Sequence, residues 1–311
     1  MTRWPGASRL LSLLVLAAAT LASSCAGPRE LTYHRVRSDR MSGARLSYSV
    51  WLPPDFREDE RLPLITFLHG GGDSPNAFDK HGLSQQFREA TARGELPRAV
   101  IFFPQGDNGF WANWYDGSRM YQDWILEELI PEVQRRYHTL ACPDDCHIMG
   151  VSMGGYGSLR LVMDHPGRFA SLTAVSAPIF DTEQMMNFAT DRMTQLFIPV
   201  HRVWGPANER EIRGRDPFLV WRRPSDLHGT RLAIHWGSDD RAGIKDTNER
   251  LHTHLSERRI PHTAAEYEGN HSWVSWSPVI QAAMRAQLGG EAGTGPPETT
   301  VAPTPGAMAG E

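Results

Sequence analysis

The stretch "IMGVSMGGYGSLRL", residues 148–161, sets Ser152 among glycines, directly after an apolar run and directly before an amphipathic one. Gly150, Ser152 and Gly154 form a G-x-S-x-G string, which arises by chance in on the order of one chain in ten at ordinary glycine usage. Its surroundings therefore have to carry it. "CHIMG" (146–150) reads as a short buried strand and "GSLRLVMDH" as the helix that follows. A serine on such a strand-to-helix turn is exposed as a nucleophile, and larger side chains at the glycine positions would collide with neighbouring backbone. Gly150 and Gly154 are assigned to relieving that crowding, and Gly155 to close packing of the helix on the sheet. The same turn points the backbone N–H of Met153 toward the place where negative charge would develop on a reacting carbonyl.

Outward from this turn, short apolar runs alternate with helical patterns. "LTYHRV" and "ARLSYSVWLPPDF" read as a hairpin separated by "SDRMSG". "LPLITFLHG" (62–70) and "RAVIFFP" (98–104) are buried-strand runs with the helical "LSQQFREATARG" between them. "YQDWILEELIPEVQRRY" (121–137) carries an apolar stripe and a kink expected at Pro131. "SLTAVSA", "RLAIHWG" and "HTAAEYEG" supply further strands, with the helix "NERLHTHLSERR" before the last. This alternation predicts an α/β chain with a mostly parallel central sheet and helices on both faces. Residues 181–226 hold no clear strand and read as a helical insertion above the sheet.

A reactive serine needs a general base that is itself oriented by a carboxylate. In a fold of this kind both follow the serine in chain order, on loops past the carboxyl ends of strands. Asp239 and Asp240 follow "RLAIHWG", and His271 follows "HTAAEYEG", so the order Ser152, Asp240, His271 is the one required; the spacing from Gly237 favours Asp240 over Asp239. The chain has 13 histidines, so none is informative alone, but His271 has the right order and loop. "FLHGGGD" ends an earlier strand and offers Gly71 as a second oxyanion donor, with no side chain to block substrate. No G-K-[ST] follows either glycine loop, which argues against a phosphate cradle. His69, Trp111, Asn113, Trp114 and Trp273 are candidates for the substrate pocket, and Met185, Met186, Phe188 and Leu196 for a roomy apolar cleft. No metal site and no cofactor are expected.

On "YSVWLPPDF", "LPLITFLHGGGD", "AVIFFPQGDNGFWANWYDG", "DWILEELIPEV", "IMGVSMGGYGSLRLVMDHPGRFA", "DPFLVW", "GSDD" and "GNHSWVSW", the chain resembles the esterase D-like family of α/β-hydrolases. That family includes S-formylglutathione hydrolases, feruloyl and acetyl-xylan esterases, siderophore esterases and mycolyltransferases. The resemblance covers nearly everything from 45 to 280. It implies Ser152, Asp240 and His271 as the triad, with Gly71 and Met153 as the oxyanion hole. The function it implies is a serine carboxylesterase acting on small or carbohydrate-linked acyl esters. Acyl transfer to a sugar or lipid alcohol would use the same triad, and a non-catalytic binding protein on the same fold is a third alternative.

Composition bounds the rest. A net charge of -4 supplies no basic field for nucleic acid. Residues 1–24 have the layout of a signal peptide: Arg3 and Arg9, then a twelve-residue apolar run too short to span a bilayer. "LASSC" resembles a lipobox ending at Cys25, with the usual leucine one place early at Leu21. Residues 25–30 would be a short linker, 31–288 the esterase domain and 289–311, rich in Gly, Pro, Thr and Ala, a disordered tail. With Cys25 lipidated, Cys142 and Cys146 remain as an even pair for a disulfide, worth about 2 kcal/mol for so short a loop. These features predict an exported envelope protein, anchored to a membrane through Cys25 and facing the periplasm or outer membrane, or otherwise secreted.

Overall fold

The computed structural model describes residues 30–191, 195–196, 198, 200–205 and 212–289. The expected signal peptide, Cys25 with its lipobox, and the tail from 290 onward lie outside the described residues. Eight strands form one sheet: β1 (Leu31–Ser38), β2 (Ala44–Trp51), β3 (Leu64–Leu68), β4 (Val100–Pro104), β5 (Cys146–Val151), β6 (Ser171–Val175), β7 (Arg231–Asp239) and β8 (His262–Asn270). Their order across the sheet is β1-β2-β4-β3-β5-β6-β7-β8. β1 pairs antiparallel with β2, and β2 antiparallel with β4; every pairing from β4 to β8 is parallel. This is the mostly parallel α/β-hydrolase sheet expected from the alternating pattern.

Six helices matter to the argument: α1 (Leu83–Ala92), α2 (Ile130–Tyr137), α3 (Met153–Asp164), α4 (Thr182–Thr190), α5 (Ala242–Glu257) and α6 (Trp273–Leu288). They cover both faces, because strand side chains alternate. On β5, Ile148 joins the core on one face with Trp111, Trp124 and Leu159. Its neighbours Met149 and Val151 join the other with Phe67, Phe78, Phe87 and Trp276. Among the described residues of 181–226 there are helical segments and no strand.

One local detail departs from expectation and two add to it. The helical run leading into α2 is π-helical over Trp124–Leu129, just before Pro131. Proline lacks the N–H and its ring crowds the carbonyl four residues earlier, so widening the preceding turn accommodates it. α5 starts at Ala242, six residues before the helix read from "NERLHTHLSERR". α6 carries Pro278 in its interior and had no expectation attached to it. Cys142 and Cys146 are joined in a disulfide with Cα atoms 4.9 Å apart, closing the turn that leads into β5. No described helix is long and apolar enough to cross a membrane.

Burial also sets an acid limit on the fold. His147 on β5 is 4% exposed, and its Nδ1 lies 2.8 Å from Ser171 Oγ. Burial, with the charge of Arg231, pushes its pKa down to about 4 from 6.5. The unfolded chain therefore binds a proton near pH 6.5 that the folded chain refuses until about 4, so stability falls as pH drops through that window. The loss attributable to His147 is on the order of 3 kcal/mol. Denaturant unfolding at pH 7 and pH 4.5 should show a smaller acid loss for His147→Gln than for the wild type. An identical pH slope in the variant would remove His147 from this account.

Candidate active site

β5 delivers Ser152 at its carboxyl end. The residue has φ +53° and ψ -123°, a backbone conformation costing on the order of 1–3 kcal/mol for a residue with a side chain. It is held there by its N–H donating to Val175 O at 2.8 Å and by the start of α3 immediately after it. The turn closes this tightly because Gly150 and Gly154 have no Cβ: one on Gly150 would lie 2.3 Å from Gly154 O.

The loops after β7 and β8 bring in the other two residues. His271 Nε2 lies 2.9 Å from Ser152 Oγ, and its Nδ1 lies 2.8 Å from Asp240 Oδ1. With Nδ1–H donating to the carboxylate, Nε2 is left as an acceptor facing the hydroxyl. Asp240, not its neighbour Asp239, takes this place. Asp239 is exposed and pairs with Asn270 where β7 and β8 end. Burial pushes the Asp240 carboxyl upward, but hydrogen bonds from His271 and Ser176, the charge of His271 and the Arg241 N–H more than offset it and hold the group below its ordinary value.

Ser176, which carried no signal in the sequence, is central to that environment. It is fully buried at the end of β6, and its Oγ lies 2.6 Å from Tyr267 Oη and accepts from Trp276 Nε1 at 3.0 Å. Burial raises the Tyr267 hydroxyl to about 12, so it stays protonated. Trp276 also packs its ring edge-on against His271, centroids 4.9 Å apart. The Tyr267 hydroxyl and the Trp276 indole N–H thus meet at Ser176, next to the acid, while the Trp276 ring packs against the base.

The glycine loop after β3 runs beside Ser152: a Cβ on Gly70 would be 3.4 Å from its Cβ. Gly71 N–H takes no partner among the described residues. Met153 N–H, in the first turn of α3, has no carbonyl four residues back to donate to. Both candidate donors are thus uncommitted.

The expected pocket residues fare differently. His69 is 0% exposed and cannot line a pocket; its Nδ1 is 2.8 Å from Gly70 O and its Nε2 accepts Gly106 N–H at 3.1 Å. Burial lowers its pKa, which keeps Nε2 free to accept. Trp111 is likewise buried, with its indole N–H on His69 O. Asn113 spends its amide on Asp123 Oδ1 and its carbonyl on the N–H of Gln122 and Asp123, at the start of a helix. The polar atoms of these three are thus spent on bracing loops. Trp114 is half-buried beneath the Arg202 guanidinium, 4.9 Å from it. Trp273 is half-buried and close to the site, donating to Asp73 Oδ2 at 2.8 Å. Of the residues expected around an apolar cleft, Met185 is buried, Met186 and Phe188 are half-buried, with Phe188 against Phe110, Phe180 and Trp204, and Leu196 is exposed.

Residues 38–286 match a family model described as "Putative esterase". Two curated relatives, Esterase MT1326 and Esterase Rv1288 from two strains of Mycobacterium tuberculosis, are each 30% identical over 158 residues. The match covers 48% of this chain and 32% of theirs, so the chain spans about a third of their length. Among solved structures, a ferulic acid esterase superposes with a TM-score of 0.68 at 18% identity, over 83% of this chain and 97% of that one. The fluorophosphonate-binding serine hydrolase FphF of Staphylococcus aureus does so with a TM-score of 0.68 at 21% identity, over 84% and 99%. At such identities the likeness establishes the fold.

Proposed function

Because the chain belongs to the esterase family, we propose that it hydrolyses carboxylic esters through an acyl-enzyme on Ser152. The observation that carries this is the continuous hydrogen-bond path from Ser152 Oγ through His271 to the buried Asp240, at 2.9 and 2.8 Å. Ser152 Oγ adds to the ester carbonyl as His271 Nε2 takes its proton, and the imidazolium formed is stabilised by Asp240. The carbonyl oxygen, now negative, is received by the N–H groups of Gly71 and Met153. His271 returns the proton to the departing alcohol. Water, deprotonated by the same nitrogen, then releases the acid and restores Ser152.

The substrates proposed are small or carbohydrate-linked acyl esters. An exported location is supported by the apolar run of residues 10–21 and by the Cys142–Cys146 disulfide, a bond that persists in oxidising compartments. Lipidation of Cys25 belongs to the same proposal, and intact mass of the mature protein reports it. The test of function is a panel of p-nitrophenyl, feruloyl and acetyl-sugar esters, run with and without an alcohol acceptor, beside labelling by a fluorophosphonate. Hydrolysis with the label on Ser152 is expected. A chain that neither turns over any ester nor takes the label would refute the proposal, and ester products formed with the acceptor would move it to acyl transfer.

A further inference from the structure

Residues 70–72 present the oxyanion donor but have no side chains with which to hold it. Gly71 and Gly72 are exposed, and glycine loses more backbone freedom on ordering than any other residue. Stabilising a developing oxyanion requires donors already in place, so the loop must be fixed from outside. One flank is fastened to the 106–111 segment: Gly72 N–H donates to Asn108 Oδ1 at 3.1 Å, and His69 accepts Gly106 N–H. The other flank is fastened by Asp73. Its N–H closes a turn on Gly70 O at 3.2 Å. Its carboxylate, 9% exposed, receives Lys80 Nζ at 2.8 Å, His81 Nε2 at 3.2 Å and Trp273 Nε1 at 2.8 Å.

The Trp273 bond joins the two halves of the site. Asp73 lies two residues beyond Gly71, and Trp273 lies two residues beyond His271. The indole is itself fixed: His81 stacks on it with centroids 4.6 Å and planes 15° apart, and Trp276 meets it at 5.5 Å. Burial pushes the Asp73 carboxyl upward, but its three donors outweigh that and keep it below its ordinary value, hence charged at neutral pH. Resting on the esterase reading above, we propose that Asp73 is a positioning residue that ties the oxyanion loop to the loop bearing the catalytic histidine. It keeps Gly71 N–H and His271 Nε2 in register across Ser152.

The experiment compares Asp73→Ala, Asp73→Asn, Trp273→Phe and the Asp73→Ala/Trp273→Phe double variant with the wild type. It reads kcat and KM for p-nitrophenyl acetate, and the rate at which Ser152 is phosphonylated, followed by intact mass. Asp73→Ala should lower kcat about 30-fold and slow phosphonylation in parallel, with KM within about threefold, because the lost register is felt in the transition state. Asp73→Asn keeps an acceptor for the indole and should recover to within about threefold of wild type. Trp273→Phe keeps the ring on His81 but removes the N–H, so it should match Asp73→Ala, and the double variant should be no worse than either. If Asp73→Ala does not fold, Trp273→Phe carries the comparison. A folded Asp73→Ala with wild-type kcat, a loss confined to KM, or multiplicative losses in the double variant would overturn the role while leaving the esterase reading intact. A wild-type chain with neither turnover nor label would overturn both.

Discussion

Ser152→Ala is expected to lower kcat for ester hydrolysis by at least about 10⁴-fold and to abolish fluorophosphonate labelling, while the unfolding free energy should shift by no more than about 1 kcal/mol. The kinetic size follows from what the substitution removes. Without Oγ there is no acyl-enzyme, and His271 is left as a base with nothing to deprotonate but water. The donors at Gly71 and Met153 stay, so the residual rate should still exceed the uncatalysed one by on the order of 10³–10⁴. The small stability change follows from the backbone: alanine at φ +53° is under the same strain as serine, so removing the hydroxyl neither relieves nor adds to it. Since serine and histidine act as one unit, Ser152→Ala/His271→Ala should be no slower than Ser152→Ala alone. Steady-state kinetics with a chromogenic ester, on variants shown by circular dichroism to be folded, would decide it. Activity within tenfold of wild type would sink the assignment of the nucleophile.

Much of this was legible in the chain because the parallel sheet writes itself as short apolar runs. β3, β4, β5 and β6 are buried along their whole length, and the first three are each followed by the loop in which a functional residue was sought. Chain order then placed His271, and spacing from Gly237 separated Asp240 from Asp239. What sequence could not show is how a polar atom is spent. Trp111, Asn113 and His69 have the side chains of a pocket wall, but each directs its polar atoms to backbone or to an acid nearby. Ser176 and Asp73 were invisible for the opposite reason. Ser176 sits in no motif and Asp73 only closes the glycine loop "FLHGGGD", and their partners lie far along the chain, 91 residues away at Tyr267 and 200 away at Trp273. α6 was masked by Pro278, whose missing N–H argues locally for a break, while burial of Trp276, Ile280 and Met284 against the sheet holds the helix together.

Gly154→Ala should cost about 4 kcal/mol or more and remove activity together with it. A methyl at this position would stand 1.9 Å from Leu68 O, 2.4 Å from Leu68 C and 2.7 Å from His69 O. All three atoms are backbone, at the end of β3 where it turns into the glycine loop, so no rotamer change can make room. Either α3 must lift from the sheet or β3 must shift, and either motion separates Met153 N–H from Gly71 N–H and moves Ser152 away from His271. Gly155, one residue on, is the control. Its added methyl would meet Ala177 Cβ at 3.0 Å and Val175 O at 3.1 Å, contacts that a few tenths of an ångström of movement would relieve, so Gly155→Ala should cost only about 1–2 kcal/mol. Thermal and denaturant unfolding of the two variants, read beside the amount of Ser152 that accepts a fluorophosphonate, separates the cases. Equal stability losses would mean that α3 tolerates displacement, and that the turn, rather than the helix contact behind it, fixes the nucleophile.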